Sequence, residues 1–273
     1  MKQRLIVAGI GLPVLVAAAM FLPPWALTIL TVIITTVGSA ELIRSLGAGS
    51  VKRVYGYSAL AAAAVPVAVC LGIAEKAVPV ILYLLVLILG AETVFTRGKE
   101  RSVSFRDVLV CIAGGVGIPW LMSHILRLKM MDYGGTCVML GFCITMLSDT
   151  GGYFGGKLFG KHRPLPNVSP NKTTEGFVGS LLLCIVSVFC FGLVTHFALG
   201  FNTNFLALAL YIIPCNFSTQ LGDLAFSAIK REVGIKDFGK VLPGHGGMLD
   251  RFDSQIFTMP MLYLLMSLVP AFG

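Results

Sequence analysis

Four aspartates, one glycine-rich turn and a set of basic residues are the parts of this chain able to do chemistry. Asp149 closes an apolar run and opens "DTGGYFGG"; Asp223 lies in "CNFSTQLGD", near the end of another such run; Asp250 and Asp253 stand three apart in "PGHGGMLDRFD". An ionised carboxylate in hydrocarbon costs roughly 3 kcal/mol even on a mild insertion scale, so such a group faces a wet cavity, pairs with a cation or binds a metal. The plainer reading of Asp149 is a helix-end residue reaching water, and of Asp250 and Asp253 a pair that caps a helix and complements its dipole. Gln220, Asp223, Ser227 and Lys230 follow helical steps of three and four and share one face. A lysine snorkelling to the surface accounts for Lys230 but not for the whole stripe. Gly244, Gly246 and Gly247 expose bare N–H groups just before a helix, which is an anion site in waiting. Phosphate beside two carboxylates needs a bridging cation, and hard oxygen donors select Mg²⁺. Lys230, Arg231, Lys236 and Arg251 would neutralise the remaining phosphate oxygens. No Ser–His–Asp or Cys–His arrangement and no Walker-type loop occurs. The set therefore suits direct phosphoryl or nucleotidyl transfer, where positioning and charge stabilisation carry the reaction.

The elements that must hold these residues are membrane helices. Of 273 residues, 56% are hydrophobic and 12% charged, about half the charged share of a soluble domain. Apolar runs long enough to cross a bilayer fall near 5–22, 24–44, 54–74, 77–96, 107–126, 134–150, 177–199, 204–227 and 255–272, which predicts an all-α polytopic membrane protein of roughly nine helices. The first run resembles a signal peptide, but the next begins almost at once after Pro23 and Pro24, so a retained helical hairpin with the prolines at its turn is expected. With the N-terminus in the cytoplasm, 18 of the 21 Lys and Arg fall in cytoplasmic segments, and only Lys76, Arg127 and Lys129 fall outside. That asymmetry places the loop at 151–176 and the polar stretch at 236–257 on the cytoplasmic side. The formal charge of +8 is explained by the same bias, and nothing in the chain resembles a nucleic-acid-binding signature. The seven cysteines lie in apolar segments without a CxxC pair and read as small buried hydrophobes. The chain reads as a single membrane domain over 1–273. Its helices over 1–130 are expected to act as scaffold and dimerisation surface, and 131–273 to carry the catalytic helices and cytoplasmic loops.

The stretch "SAIKREVGIKDFGKVLPGHGGMLDRFD" (227–253) resembles the signature of the phosphatidate cytidylyltransferases, or CDP-diacylglycerol synthases: Ser-x-apolar-Lys-Arg, four residues, Lys-Asp, then Pro-x-His-Gly-Gly-x-x-Asp-Arg-x-Asp. It is unbroken here. "SDTGGYFGGKLFGKHRP" (148–164) and "SPNKTTEG" (169–176) are similar to two further stretches of that family, with Gly152 where Ala is expected and Asn171 where Lys is expected. The latter change removes one phosphate contact. The resemblance covers residues 140–257 in detail. It implies conversion of CTP and phosphatidate to CDP-diacylglycerol and pyrophosphate by a Mg²⁺-dependent homodimer of the inner membrane, its active site facing the cytoplasm, with room for a second, monovalent cation. It further implies Asp223 and Asp250 as metal ligands, and Asp253 as another ligand or a residue behind them. Lys230, Arg231, Lys236 and Arg251 would bind phosphates, with Asp237 and Asp149 also in the site. His245, Gly246 and Gly247 would form the polyphosphate turn. Ser169, Lys172 and Thr173 would contact CTP or the phosphatidate headgroup. Two other readings of the residues stand beside this one. A transporter also uses polar residues on adjacent spans, although its site belongs near the midplane. Another membrane phosphotransferase is the second, although the Asp-Gly-x-x-Ala-Arg start of the CDP-alcohol enzymes is absent.

Overall fold

Pro23 and Pro24 interrupt the helical chain: Phe21 is helical, and Pro24 takes the first position of the next helix, where its missing N–H costs nothing. The computed structural model describes residues 17–18, 20–47, 52–241 and 246–273. Most of the expected first span, and Gly244 and His245 of the glycine turn, lie outside them.

Seven helices among the described residues are long and apolar enough to cross a membrane. They are α1 (Pro24–Ser45), α2 (Lys52–Cys70), α3 (Ala74–Phe95), α4 (Phe105–Lys129), α5 (Gly134–Phe159), α6 (Thr174–Ala198) and α7 (Phe205–Glu232). They match the second to eighth expected spans. The ninth expected span is also a helix, α8 (Leu249–Leu268), but it opens on Asp250, Arg251 and Asp253 and is not one of the seven. No strand forms among the described residues; one isolated bridge joins Thr203 and Phe272.

The chain divides into two units. The first holds residues 22–127 and 235–252. Here α1 packs on α2, with the Thr35 hydroxyl donating to Ala62 O at 3.1 Å. A capping box starts α4: Ser104 Oγ accepts from Asp107 N and Asp107 Oδ2 accepts from Ser104 N. One turn of α4, Ala113–Gly117, is wound as a π-helix. A Cβ on Gly115 would sit 3.2 Å from Ser58 O of α2, so the wide turn and its glycine let α4 approach the α2 backbone. Much of α3 is apolar and exposed, as a lipid-facing surface requires.

The second unit holds residues 128–234 and 253–273, with α5, α6, α7 and most of α8. Its α5 and α6 meet backbone to backbone. A Cβ on Gly151 would lie 2.5 Å from Gly179 O, and one on Gly179 would lie 2.7 Å from Gly151 O. Gly155 and Gly176 continue the contact: a Cβ on Gly155 would be 3.0 Å from Glu175 O, and one on Gly176 would be 2.8 Å from Gly152 O. Lipid tails are as apolar as leucine, so helices in a bilayer associate through this sort of small-residue fit. Closer to the other partner, Gly222 of α7 faces Asp253 O of α8 at 2.7 Å from its would-be Cβ, and the hydroxyls of Thr219 and Thr258 meet at 2.9 Å.

Candidate active site

The close contacts of the second unit bring a file of polar side chains into an otherwise apolar interior. Asn216 Nδ2 donates to Ser148 Oγ of α5 (3.2 Å) and to Ser180 Oγ of α6 (2.9 Å). One turn further along α7, Gln220 Nε2 also donates to Ser180 Oγ (2.9 Å), while its Oε1 accepts from Lys172 Nζ (2.8 Å). Lys172 then reaches Asp223 Oδ2 at 2.6 Å. All four of Ser148, Ser180, Asn216 and Gln220 are buried, and Lys172 and Asp223 are partly open. Buried polar groups of this kind are tolerable only when satisfied, so the file fixes the relative positions of three helices at the level of Asp223.

Lys172 owes its place to the cap of α6. Thr173 Oγ1 accepts from Gly176 N (3.1 Å) and begins the helix, and Lys172 N donates to Ser169 O (3.2 Å) in the turn before it. The expected residues Ser169, Lys172 and Thr173 thus form one turn at the start of α6, with Ser169 half-buried and Thr173 buried. Asp149 lies on α5, crowded by protein atoms yet with an exposed surface. Asp223, Lys172 and Asp253 are within electrostatic reach of it, and Ser254 within hydrogen-bonding reach. Asp253 is buried, its Oδ1 accepting from Ser254 N at 2.7 Å. Three of the four expected aspartates, with Lys172, therefore share one neighbourhood. Lys230 is buried and Arg231 exposed at the end of α7.

The first unit holds the other half of the signature. Asp250 is buried in the first turn of α8, and its Oδ2 accepts from Phe238 N (2.8 Å) and Gly247 N (3.0 Å). That carboxylate ties the loop to the helix start. Gly246 takes φ +84°, a left-handed turn that L side chains rarely adopt, and its would-be Cβ faces Asp237 and Asp250 at 3.2 and 3.3 Å. Lys236, Asp237 and Arg251 are exposed. Sequence reasoning missed Glu41 of α1: buried, it accepts from Met248 N (3.0 Å) and Leu249 N (2.9 Å). A lone acid within an apolar run was the available signal. Of the amides offered on sequence grounds to phosphate, that of Gly247 thus donates to the Asp250 carboxylate, and the two that follow it, of Met248 and Leu249, donate to Glu41. Ser148, Ser180 and Ser254 carried no sequence signal, since serine is common in membrane helices.

Among the described residues no group of three or more His, Cys, Asp and Glu is gathered to hold a metal ion. The donor chemistry available around Asp149, Asp223 and Asp253 is hard carboxylate oxygen, which fits Mg²⁺ and does not fit the nitrogen and sulfur preference of zinc. Lys172 supplies the positive charge beside Asp223.

Comparison with known proteins agrees with the unbroken signature. The profile of the cytidylyltransferase family matches residues 2–269. The chain is 39% identical over 174 residues to a phosphatidate cytidylyltransferase of Staphylococcus haemolyticus, a match covering 63% of this chain and 64% of the relative. Proteins of the same name from Staphylococcus saprophyticus (38%) and Staphylococcus epidermidis (39%) match over the same shares. The match spans a little under two thirds of the length of these curated relatives. With the family profile running across nearly all of its length, the chain belongs to the cytidylyltransferase family.

Proposed function

We propose that this protein is a membrane nucleotidyltransferase that joins CTP to phosphatidate, giving CDP-diacylglycerol and pyrophosphate. A phosphate oxygen of the lipid attacks the α-phosphorus of CTP; the bond to the bridging oxygen of the β-phosphate breaks, and pyrophosphate leaves with the electron pair. The observation that supports this most is the Lys172–Asp223 ion pair at 2.6 Å. It joins Lys172, in a stretch similar to one of the family's motifs, to Asp223, which the resemblance implies as a metal ligand, within a chain of the cytidylyltransferase family.

The roles are those that the resemblance to the family's motifs implies. Asp223 and Asp250, with Asp253, would hold Mg²⁺, which when bound neutralises the triphosphate and stabilises charge developing on the leaving oxygen. Lys230, Arg231, Lys236 and Arg251 bind phosphate oxygens, and Arg does so in bidentate fashion. His245, Gly246 and Gly247 shape the polyphosphate turn, with Asp237 beside it. Ser169, Lys172 and Thr173 meet CTP or the lipid headgroup, and Asp149 lines the same site. A neighbourhood holding Asp149, Asp223 and Asp253 favours a cation, including a monovalent one beside Mg²⁺. The reading places the N-terminus and the active site at the cytoplasmic side of the inner membrane, in a homodimer, with phosphatidate arriving sideways from the inner leaflet.

The test is purified protein in detergent with phosphatidate, Mg²⁺ and each of the four NTPs in turn, assayed for pyrophosphate. Release with CTP alone, abolished by excess chelator, is expected. Release with no nucleotide would overturn the assignment, and full turnover in chelator would remove Mg²⁺ from it.

A further inference from the structure

We infer that Glu41, in the membrane helix α1, is a positioning residue for the signature loop and sets the enzyme's hold on the nucleotide. The inference rests on the proposed activity only for its kinetic arm. One face of α1 carries the contact. Glu41 accepts from Met248 N and Leu249 N at 3.0 and 2.9 Å, and Ser45, one turn on, donates to Phe238 O at 2.8 Å. Gly38, one turn back, leaves room for Leu249, which would lie 3.7 Å from its Cβ. Both ends of the segment 238–249 are thus bound to the same helix face.

Two signature glycines are explained by the same carboxylate. A Cβ on Gly247 would lie 2.6 Å from Glu41 Oε2, and a Cβ on Gly239 would overlap Glu41 Oε1. Neither has a positive φ. They are glycine so that the loop can close around Glu41, as well as for any substrate approach. Glu41 is 5% exposed, and both its carboxyl oxygens are taken up by backbone N–H donors of the loop. Lys236, Asp237 and Arg251, which we assign to the nucleotide, stand on the segments entering and leaving this clamp. Their heads are exposed, so the course of the backbone decides where they point.

Glu41→Ala and Glu41→Gln in the full chain test this. Gln keeps the shape and one carbonyl oxygen, so it should retain part of the clamp. Two readouts are taken. Hydrogen exchange needs no activity: the amides of Met248 and Leu249 should exchange about tenfold faster or more in Glu41→Ala, with Glu41→Gln between. In steady state, KM for CTP should rise about tenfold in Glu41→Ala and less in Glu41→Gln, while kcat at saturating CTP and KM for phosphatidate stay within about threefold of wild type. A merely destabilised enzyme would lose active fraction, lowering kcat and leaving KM alone. Gly239→Ala, which pushes against Glu41 from the other side and carries no assigned substrate contact, should reproduce the KM effect if Glu41→Ala proves too unstable to purify. Unchanged exchange at 248 and 249 refutes the clamp. Faster exchange with an unchanged KM for CTP refutes its role in nucleotide binding. A wild-type protein inactive with every NTP would refute the proposed function instead, and the exchange arm would still decide the clamp.

Discussion

Neighbouring glycines of α5 are predicted to respond to alanine with opposite signs. A Cβ on Gly151 would sit 2.5 Å from Gly179 O and 2.8 Å from Leu183 Cβ. Ordinary contact begins at 3.4 Å, so the shortfall to the Gly179 carbonyl is about 0.9 Å. The obstacle is backbone, which no rotamer change can move, and α5 and α6 must part along a contact that also includes Gly155, Gly176 and Gly179. Overpacking costs about 1–3 kcal/mol, and a shortfall of this size against immovable backbone belongs in the upper half of that range, about 2–3 kcal/mol. Alanine's better helix propensity returns up to about 1 kcal/mol, leaving Gly151→Ala destabilised by about 1–2 kcal/mol. For Gly152, the first atoms met are Gly176 O and Ser180 Cβ, both at 3.8 Å, and Gln220 Nε2 at 3.9 Å. Those are ordinary contacts. Gly152→Ala should therefore be neutral or stabilising by up to about 1 kcal/mol. At this chain length 1 kcal/mol corresponds to about 2–4 °C in Tm. Thermal unfolding in one detergent, followed by tryptophan fluorescence or by loss of the monodisperse chromatographic peak, should show Gly151→Ala melting about 2–8 °C below wild type and Gly152→Ala at or slightly above it. Gly151→Ala melting at or above wild type would refute the idea that α5 and α6 meet at backbone contact.

Asp250→Asn keeps the shape of the side chain and an oxygen able to accept from Phe238 N or Gly247 N. As a metal ligand the amide is much poorer, so turnover at saturating Mg²⁺ and CTP should fall at least about a hundredfold, or about 2.7 kcal/mol in barrier, with the protein still extracted as wild type; near-normal turnover would leave Asp250 as a loop-binding residue only. Asn216→Ala removes the amide that Ser148 and Ser180 share, leaving Ser180 with Gln220 only, and should cost about 1–3 kcal/mol in detergent unfolding, well beyond an alanine change on an exposed face of α3.

The difference between what could and could not be read from the sequence follows from the range of the interactions. Span positions are local: a run of apolar residues of sufficient length is visible by itself, and α1 to α7 stand where the runs predicted them. The break at Pro23 and Pro24 is local too. The polar stretch of α7 was visible because Asn216, Gln220 and Asp223 interrupt hydrocarbon, and the helical period places Gln220 and Asp223 on one face. What lies opposite that face was not visible. Ser180 and Lys172, which complete the file, come from another helix and from the turn before it. The glycines show the limit most sharply. "DTGGYFGG" and "PGHGG" look alike as glycine-rich text, yet only the second was given work to do. The first lets α5 approach the α6 backbone, with Gly151 and Gly155 on the contact and Gly152 beside it. The second contains one glycine required by a left-handed φ, Gly246, and one required by a carboxylate two hundred residues away, Gly247 facing Glu41. A glycine in the sequence states only that something comes near; its identity resides in the partner. That is why Glu41, the sole acid in α1, could be noticed as costly in an apolar helix but not connected to the turn that offsets its cost. The buried acid and the small residues around it form one feature. Substituting either side should therefore disturb the same amides at 248 and 249.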